Sequence, residues 1–125
     1  PETKLIRNIL QGANQYINVH SGEFSLYMPW DSVDMRPPFY EKQKKKLKKL
    51  GKYCHQCTVG PAAIKSFYKA YGSSVDYATT QGIEAYTFEI YGEETYDCKR
   101  MFNPSGRNKK RILNQWKKIM YASLD

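Results

Sequence analysis

Tyr86-Thr87-Phe88-Glu89-Ile90-Tyr91-Gly92 places one carboxylate at the end of an otherwise apolar, β-branched and aromatic run. Such a run reads as a buried strand, and a carboxylate carried into a buried strand needs a partner or a task. Upstream, Tyr16-Ile17-Asn18-Val19-His20-Ser21 repeats the arrangement with an imidazole as the last strand residue. Open α/β sheets build their sites at the carboxyl ends of strands. Two strands that each deliver one polar group there predict a shared site, with His20 as a candidate metal ligand and Glu89 as a candidate general base.

Working outward, Thr3 to about Asn14 reads as a helix with Leu5, Ile6, Ile9 and Leu10 on one face, and Gln15 to His20 as a buried strand. Glu23 to Tyr27 alternates Phe24 and Leu26 with polar neighbours, a second strand. Pro29 to Pro38 holds three prolines and two acids and predicts an irregular surface loop. A basic helix follows over Tyr40 to Gly51, the glycine being suited to its C-cap. Gly60-Pro61-Ala62-Ala63 predicts the opening of another helix that runs to near Gly72. Ser73 to Ala78 reads as a serine-capped helical turn and Glu84 to Tyr91 as the third strand. Gly92 to Pro104 reads as loop, and Ser105 as the cap of a last helix ending near Ala122. The expectation is one α/β unit, a mostly parallel or mixed sheet flanked by helices, and an incomplete one because three strands are few for an independent sheet.

The 125 residues allow at most one domain. The opening Pro1-Glu2-Thr3 runs straight into helical sequence without an initiator Met, the pattern expected of a chain that begins inside a larger domain. No apolar run reaches the roughly 18 residues of a membrane span. The net charge of +8 is concentrated at Lys42 to Lys52 and at Arg107 to Lys118. Clusters of this kind can meet phosphate or anionic lipid. Here apolar residues recur at helical spacing within both, Leu47 and Leu50 in one and Ile112, Trp116 and Ile119 in the other, so solvated faces of docked helices are expected. No aromatic-interleaved basic motif or zinc finger points to nucleic acid. Of the three cysteines, Cys54 and Cys57 have the spacing of half a zinc knuckle, a redox motif or a disulfide, with Cys98 left over. Cysteine usage leans towards an oxidising compartment, secreted or endomembrane lumen.

Three elements taken in order carry a resemblance. They are His20-Ser21 at a strand end, the string Tyr68-x-x-x-Gly72-Ser73-Ser74-x-Asp76-Tyr77, and Gly82-Ile83 leading into Thr87-Phe88-Glu89. From Gln15 onward the chain resembles the C-terminal half of the catalytic domain of zinc metallocarboxypeptidases of the carboxypeptidase A and B type. The tail Asp97 to Pro104, followed by a helix with Trp116, is similar to a branch with plant and protist members. The resemblance implies hydrolysis of the C-terminal peptide bond of peptides or proteins. It assigns His20 as the histidine zinc ligand that follows an upstream His-x-x-Glu pair, and Glu89 as the carboxylate that takes a proton from water and returns it to the leaving amine. It also assigns substrate contacts to Ser21, to Tyr68 as a mobile side chain over the substrate's last residue, and to Val75 near the base of the specificity pocket. An apolar residue at Val75 implies apolar C-terminal residues, unless another wall supplies an acid, such as Asp31 or Asp34 of the proline-rich loop.

Departures from the family pattern are as specific as the matches. The sequence holds no His-x-x-Glu pair and no counterpart of the Asn-Arg pair that clamps the substrate's terminal carboxylate, so two zinc ligands are expected upstream of Pro1. Gly22 stands where many relatives carry an aromatic residue. The alternative reading is a non-catalytic carboxypeptidase-like binding module with an incomplete zinc site.

Overall fold

A computed structural model of the chain describes residues 2–92, 99 and 103–125. The Gly92 to Pro104 loop therefore lies largely outside the described residues, as do Cys98 and most of the Asp97 to Pro104 tail. Four strands, β1 (Gln15–His20), β2 (Phe24–Met28), β3 (Thr58–Pro61) and β4 (Glu84–Ile90), form one mixed sheet in the order β1-β4-β2-β3. β1 and β4 are parallel, β2 and β4 antiparallel, and β2 and β3 parallel. The helices are α1 (Glu2–Leu10), α2 (Tyr40–Gly51), the single turn α3 (Ala62–Lys65), α4 (Ser74–Thr80) and α5 (Gly106–Ser123).

β4 lies in the interior of the sheet, and all its residues but Ile90 are buried. Its pleat sends Tyr86 and Phe88 to one face and Ala85, Thr87 and Glu89 to the other. On the Tyr86 and Phe88 face, α2 contributes Leu47 and Leu50, and α5 contributes Ile112, Trp116 and Ile119, to a core shared with Leu26 and Met28. Burying side chains of this size stabilises the fold by about 1.5–3 kcal/mol each. The Trp116 indole also donates to the Ile90 carbonyl at 2.6 Å, which fixes α5 against the end of the strand. On the other face, α4 lays Val75 and Ala78 on Leu10, Ile83 and Ala85, a smaller core that stops short of the strand ends. Beyond it, that face is polar.

Several elements differ from the sequence expectation, each for a physical reason. The fourth strand, β3, is four residues long and contains Gly60 and Pro61, which read as punctuation in isolation. As an outer strand paired to β2 it tolerates a residue without an N–H. The helix expected from Gly60 to Gly72 accordingly shrinks to the one turn of α3, leaving Ser66 to Ser73 irregular. β2 does not alternate: Ser25 to Met28 are all buried, because β2 has strands on both edges and packing on both faces. α1 ends at Leu10, with Gly12 at φ 81°, and Leu5, Ile6 and Ile9 stand exposed. Gly51 is not a left-handed cap; a Cβ there would come within 3.3 Å of Val59, so close approach of α2 to β3 favours glycine. Ser105 precedes α5 but caps it with its carbonyl, accepting from the Lys109 N–H at 2.7 Å, not with its side chain. Cys54 and Cys57 form a disulfide, which resolves the three readings of that spacing.

Candidate active site

The parallel pairing of β1 with β4 sets His20 directly opposite Glu89 at the carboxyl ends of the two strands. Partners on adjacent strands share a face, and His20 Nδ1 lies 2.7 Å from Glu89 Oε1. The antiparallel neighbour adds Ser25 opposite Glu89 and Tyr27 opposite Thr87, again on the same face. A cavity of about 150 Å³ opens over this face, lined by Asn18, His20, Glu23, Tyr27, Asp31 and Glu89, with Ser66, Tyr68, Ser73 and Ser74 across from them.

Glu89 is 8% exposed, and its second carboxylate oxygen, Oε2, has no hydrogen-bond partner among the described residues. Burial pushes its carboxyl above the ordinary glutamate value; His20 and the backbone N–H of Glu23 pull it down, while the Glu23 charge pushes it up. A carboxyl held above its usual range is suited to accepting and returning a proton near neutral pH. Gly22 arches over it: its N–H donates to the Tyr91 carbonyl at 2.9 Å, and a Cβ on Gly22 would stand 3.2 Å from Glu89 Oε2. Glycine at this position thus leaves this oxygen its space. Neighbouring Glu23 accepts from the Tyr27 hydroxyl at 2.6 Å, and burial pushes that phenol above its ordinary value.

The far wall is held by α4. Ser73 caps the helix by accepting from the Asp76 N–H at 3.0 Å, as its position predicts. Ser74 ties the helix to β1 through the Tyr16 hydroxyl at 3.0 Å and the Asn18 amide at 3.2 Å. The Asp76 carboxylate accepts from the backbone of Asp31 at 2.7 Å, and from the backbone and hydroxyl of Ser32 at 3.2 and 2.5 Å. The loop after Pro29 is therefore irregular but anchored. The role of Asp76 as its clamp has no sign in the sequence, since only the fold brings residue 76 to residue 31.

The expected site residues divide into two groups. His20, Glu89 and Tyr68 come together on the cavity, with Tyr68 72% exposed at its rim, in irregular chain and not on a helix. Ser21 is half-buried just past the strand end and outside the cavity lining. Val75 is wholly buried in the small core under α4 and does not reach the cavity. The helix turns Ser73 and Ser74 to the opening and Val75 to the sheet, so the pocket-wall expectation for Val75 finds no support in this geometry. For zinc, an imidazole beside a carboxylate is suitable donor chemistry, but a catalytic site takes three protein ligands. No group of three candidate ligands exists among the described residues, so these residues do not by themselves compose a zinc site.

The same fold occurs in known proteins. The chain superposes on bovine thrombin-activatable fibrinolysis inhibitor, solved with a tick carboxypeptidase inhibitor, with a TM-score of 0.73 and 19% identity over 97% of this chain. It superposes on carboxypeptidase A from Helicoverpa armigera with a TM-score of 0.66 and 18% identity over 98%. It spans 41% and 34% of those two chains, less than half of either. At such identity these likenesses establish the fold. No curated protein matches the sequence. The family model described as zinc carboxypeptidase matches residues 1–122, essentially the whole length, and with the shared fold this makes the chain a member of the zinc carboxypeptidase family.

Proposed function

We propose that this chain forms one side of the active site of a metallocarboxypeptidase, which removes residues from peptide or protein C-termini. The observation that carries the reading is the 2.7 Å contact between His20 and a buried Glu89 whose Oε2 has no partner among the described residues, at the mouth of a cavity. In this reading Glu89 accepts the proton of the attacking water and delivers it to the departing amine. Its raised carboxyl lets it hold that proton between the two events. His20 keeps the carboxylate oriented and is the chain's contribution to the metal, the remaining ligands coming from polypeptide outside these residues. When bound, zinc supplies a Lewis acid for the carbonyl and acidifies water. In the same reading Tyr68, exposed in irregular chain at the rim, covers the substrate's last residue. The Cys54–Cys57 disulfide suits an oxidising compartment, secreted or endomembrane lumen.

The test is hydrolysis of C-terminal residues by the full-length protein and its Glu89→Gln variant. The variant is expected to lose at least about 10²–10⁴-fold in turnover with its zinc content unchanged. Near-normal turnover would remove Glu89 from the mechanism. A full-length protein that binds no zinc and hydrolyses no peptide would instead establish the binding-module alternative, which the incomplete ligand set keeps in view.

A further inference from the structure

A larger cavity, of about 530 Å³, lies on the other face of the sheet, between α2 and the outer strand β3. Met28, Tyr40, Leu47, Val59 and Pro61 line it, together with both cysteines of the Cys54–Cys57 disulfide. Met28 and Leu47 belong to the core under α2 and α5, with Val59 packed against it, whereas Tyr27, Thr87 and Glu89 line the catalytic cavity from the opposite side. An apolar cleft of about 300–1,000 Å³ with a few polar groups is the usual build of a small-molecule site. No residue of the hydrolytic reading lines this one.

Its polar groups carry one sign. The lysines of α2 divide by helical position: Lys42, Lys46 and Lys49 meet the acids Glu84 and Asp125, whereas Lys44 and Lys48, one turn apart, line the cavity. Both of these are exposed, and among the described residues neither enters an ion pair and no acid lines the cavity. The Lys44 ammonium lies over the Tyr40 ring, 5.7 Å from its centroid, so the charge sits beside the apolar wall. The outer edge of β3 does not suit a peptide strand. It is four residues long, with Gly60 at φ 146° and with Pro61, which has no N–H to donate. Short edge strands with proline discourage strand addition. A small guest with an apolar body and an anionic head meets both the wall and the lysines.

We propose that this cavity binds a carboxylate carried on an aliphatic chain, in the class of medium-chain fatty acids. The chain lies against Met28, Leu47 and Val59, and the carboxylate accepts from the Lys44 and Lys48 ammonium groups. The site is separate from the catalytic cavity and does not rest on the carboxypeptidase reading.

The experiment labels the full-length protein with a decanoate that carries a photoreactive diazirine, and locates the label by mass spectrometry. Reading the label locally keeps any binding at the catalytic cavity out of the measurement. Labelling is expected to saturate at Met28 or within residues 40–61. Unlabelled decanoate is expected to displace it at least about tenfold more effectively than decanol or decylammonium, the neutral and cationic analogues. The double variant Lys44→Gln and Lys48→Gln is expected to erase the advantage of decanoate over decanol while decanol competes as before. The double variant Lys109→Gln and Lys110→Gln removes the same charge from the exposed face of α5 and is expected to change nothing. Labelling that falls elsewhere or does not saturate overturns the proposal, as does decanol or decylammonium competing as well as decanoate. A decanoate advantage that survives the α2 variant, or one lost equally in the α5 variant, overturns it too, since the head group would then be held elsewhere or only by the overall positive field.

Discussion

β4 carries two buried glutamates, and the protein treats them in opposite ways. Glu84, at the start of the strand, is met by Lys42 at 2.5 Å, by Lys46 at 3.8 Å and by the Tyr86 hydroxyl at 2.5 Å. Burial alone pushes its carboxyl up, but Lys42, Tyr86 and Lys46 outweigh burial and hold it below the ordinary value. Glu89, at the other end, has an imidazole beside one oxygen, no hydrogen-bond partner for the other among the described residues, and a carboxyl pushed above the ordinary value. One strand therefore shows both what a buried acid looks like when the fold uses its charge and what it looks like when the fold keeps it available. Part of the lysine cluster on α2 belongs to the first case: Lys46 also donates to the Ser123 carbonyl at 2.9 Å, joining α2 to the end of α5.

The most severe way to probe this contrast is to place a third carboxylate where neither arrangement exists. Val75→Asp puts a charge into a core of Leu10, Ala78, Ile83 and Ala85 with no partner, and is expected to destabilise the chain by about 3 kcal/mol or more in denaturant unfolding. A loss below about 1 kcal/mol would mean that Val75 opens to the cavity after all. Glu84→Gln should be next, at about 1–3 kcal/mol, because it leaves Lys46 facing a buried amide. Glu89→Gln should stay within about 1 kcal/mol of the wild type by the same measurement, since burial disfavours the charge it removes. Equal costs for the two would break the comparison and make Glu89 structural.

The pH dependence sharpens it further. The folded-state carboxyl of Glu84 lies below its unfolded value, so its stabilisation is fully present above the ordinary glutamate range and is lost as pH falls through the folded value. Wild type and Glu84→Gln should therefore converge in stability in acid. The smallest effect, and one of opposite sign, is expected at Asp31. Its carboxyl is raised in the fold, so wild type should lose stability relative to Asp31→Asn as pH rises above the ordinary aspartate range. Chemical denaturation across pH measures both differences, and a common sign would refute the assignment of either group.

What can be read from the sequence follows from how local each signal is. The strands carrying His20 and Glu89 are strongly patterned, and the rule that strand ends build sites is enough to pair the two residues. The serine cap of α4 and the apolar stripe of α5 are equally local. β3 has no such pattern, because Gly60 and Pro61 are strand residues only by virtue of their pairing with β2. α1 and Val75 mislead for the converse reason. An apolar stripe gives no sign of which partner it meets, and a position carried over from relatives gives no sign of which way α4 is turned. The clamp of Asp76 on Asp31 joins distant parts of the chain and has no local signature.

The pairing of β1 with β4 has a consequence for the order of events during folding. His20 and Glu89 are separated in sequence by β2, α2, β3, α3 and α4, and meet only through a parallel pairing, which no tight turn can nucleate. Contacts of such long range are closed late, after the loop entropy between them has been paid. The proton-carrying pair is thus absent from any partly folded state that lacks this strand pairing. Amide hydrogen exchange at the facing ends of β1 and β4 would report loss of the pair together with loss of the sheet.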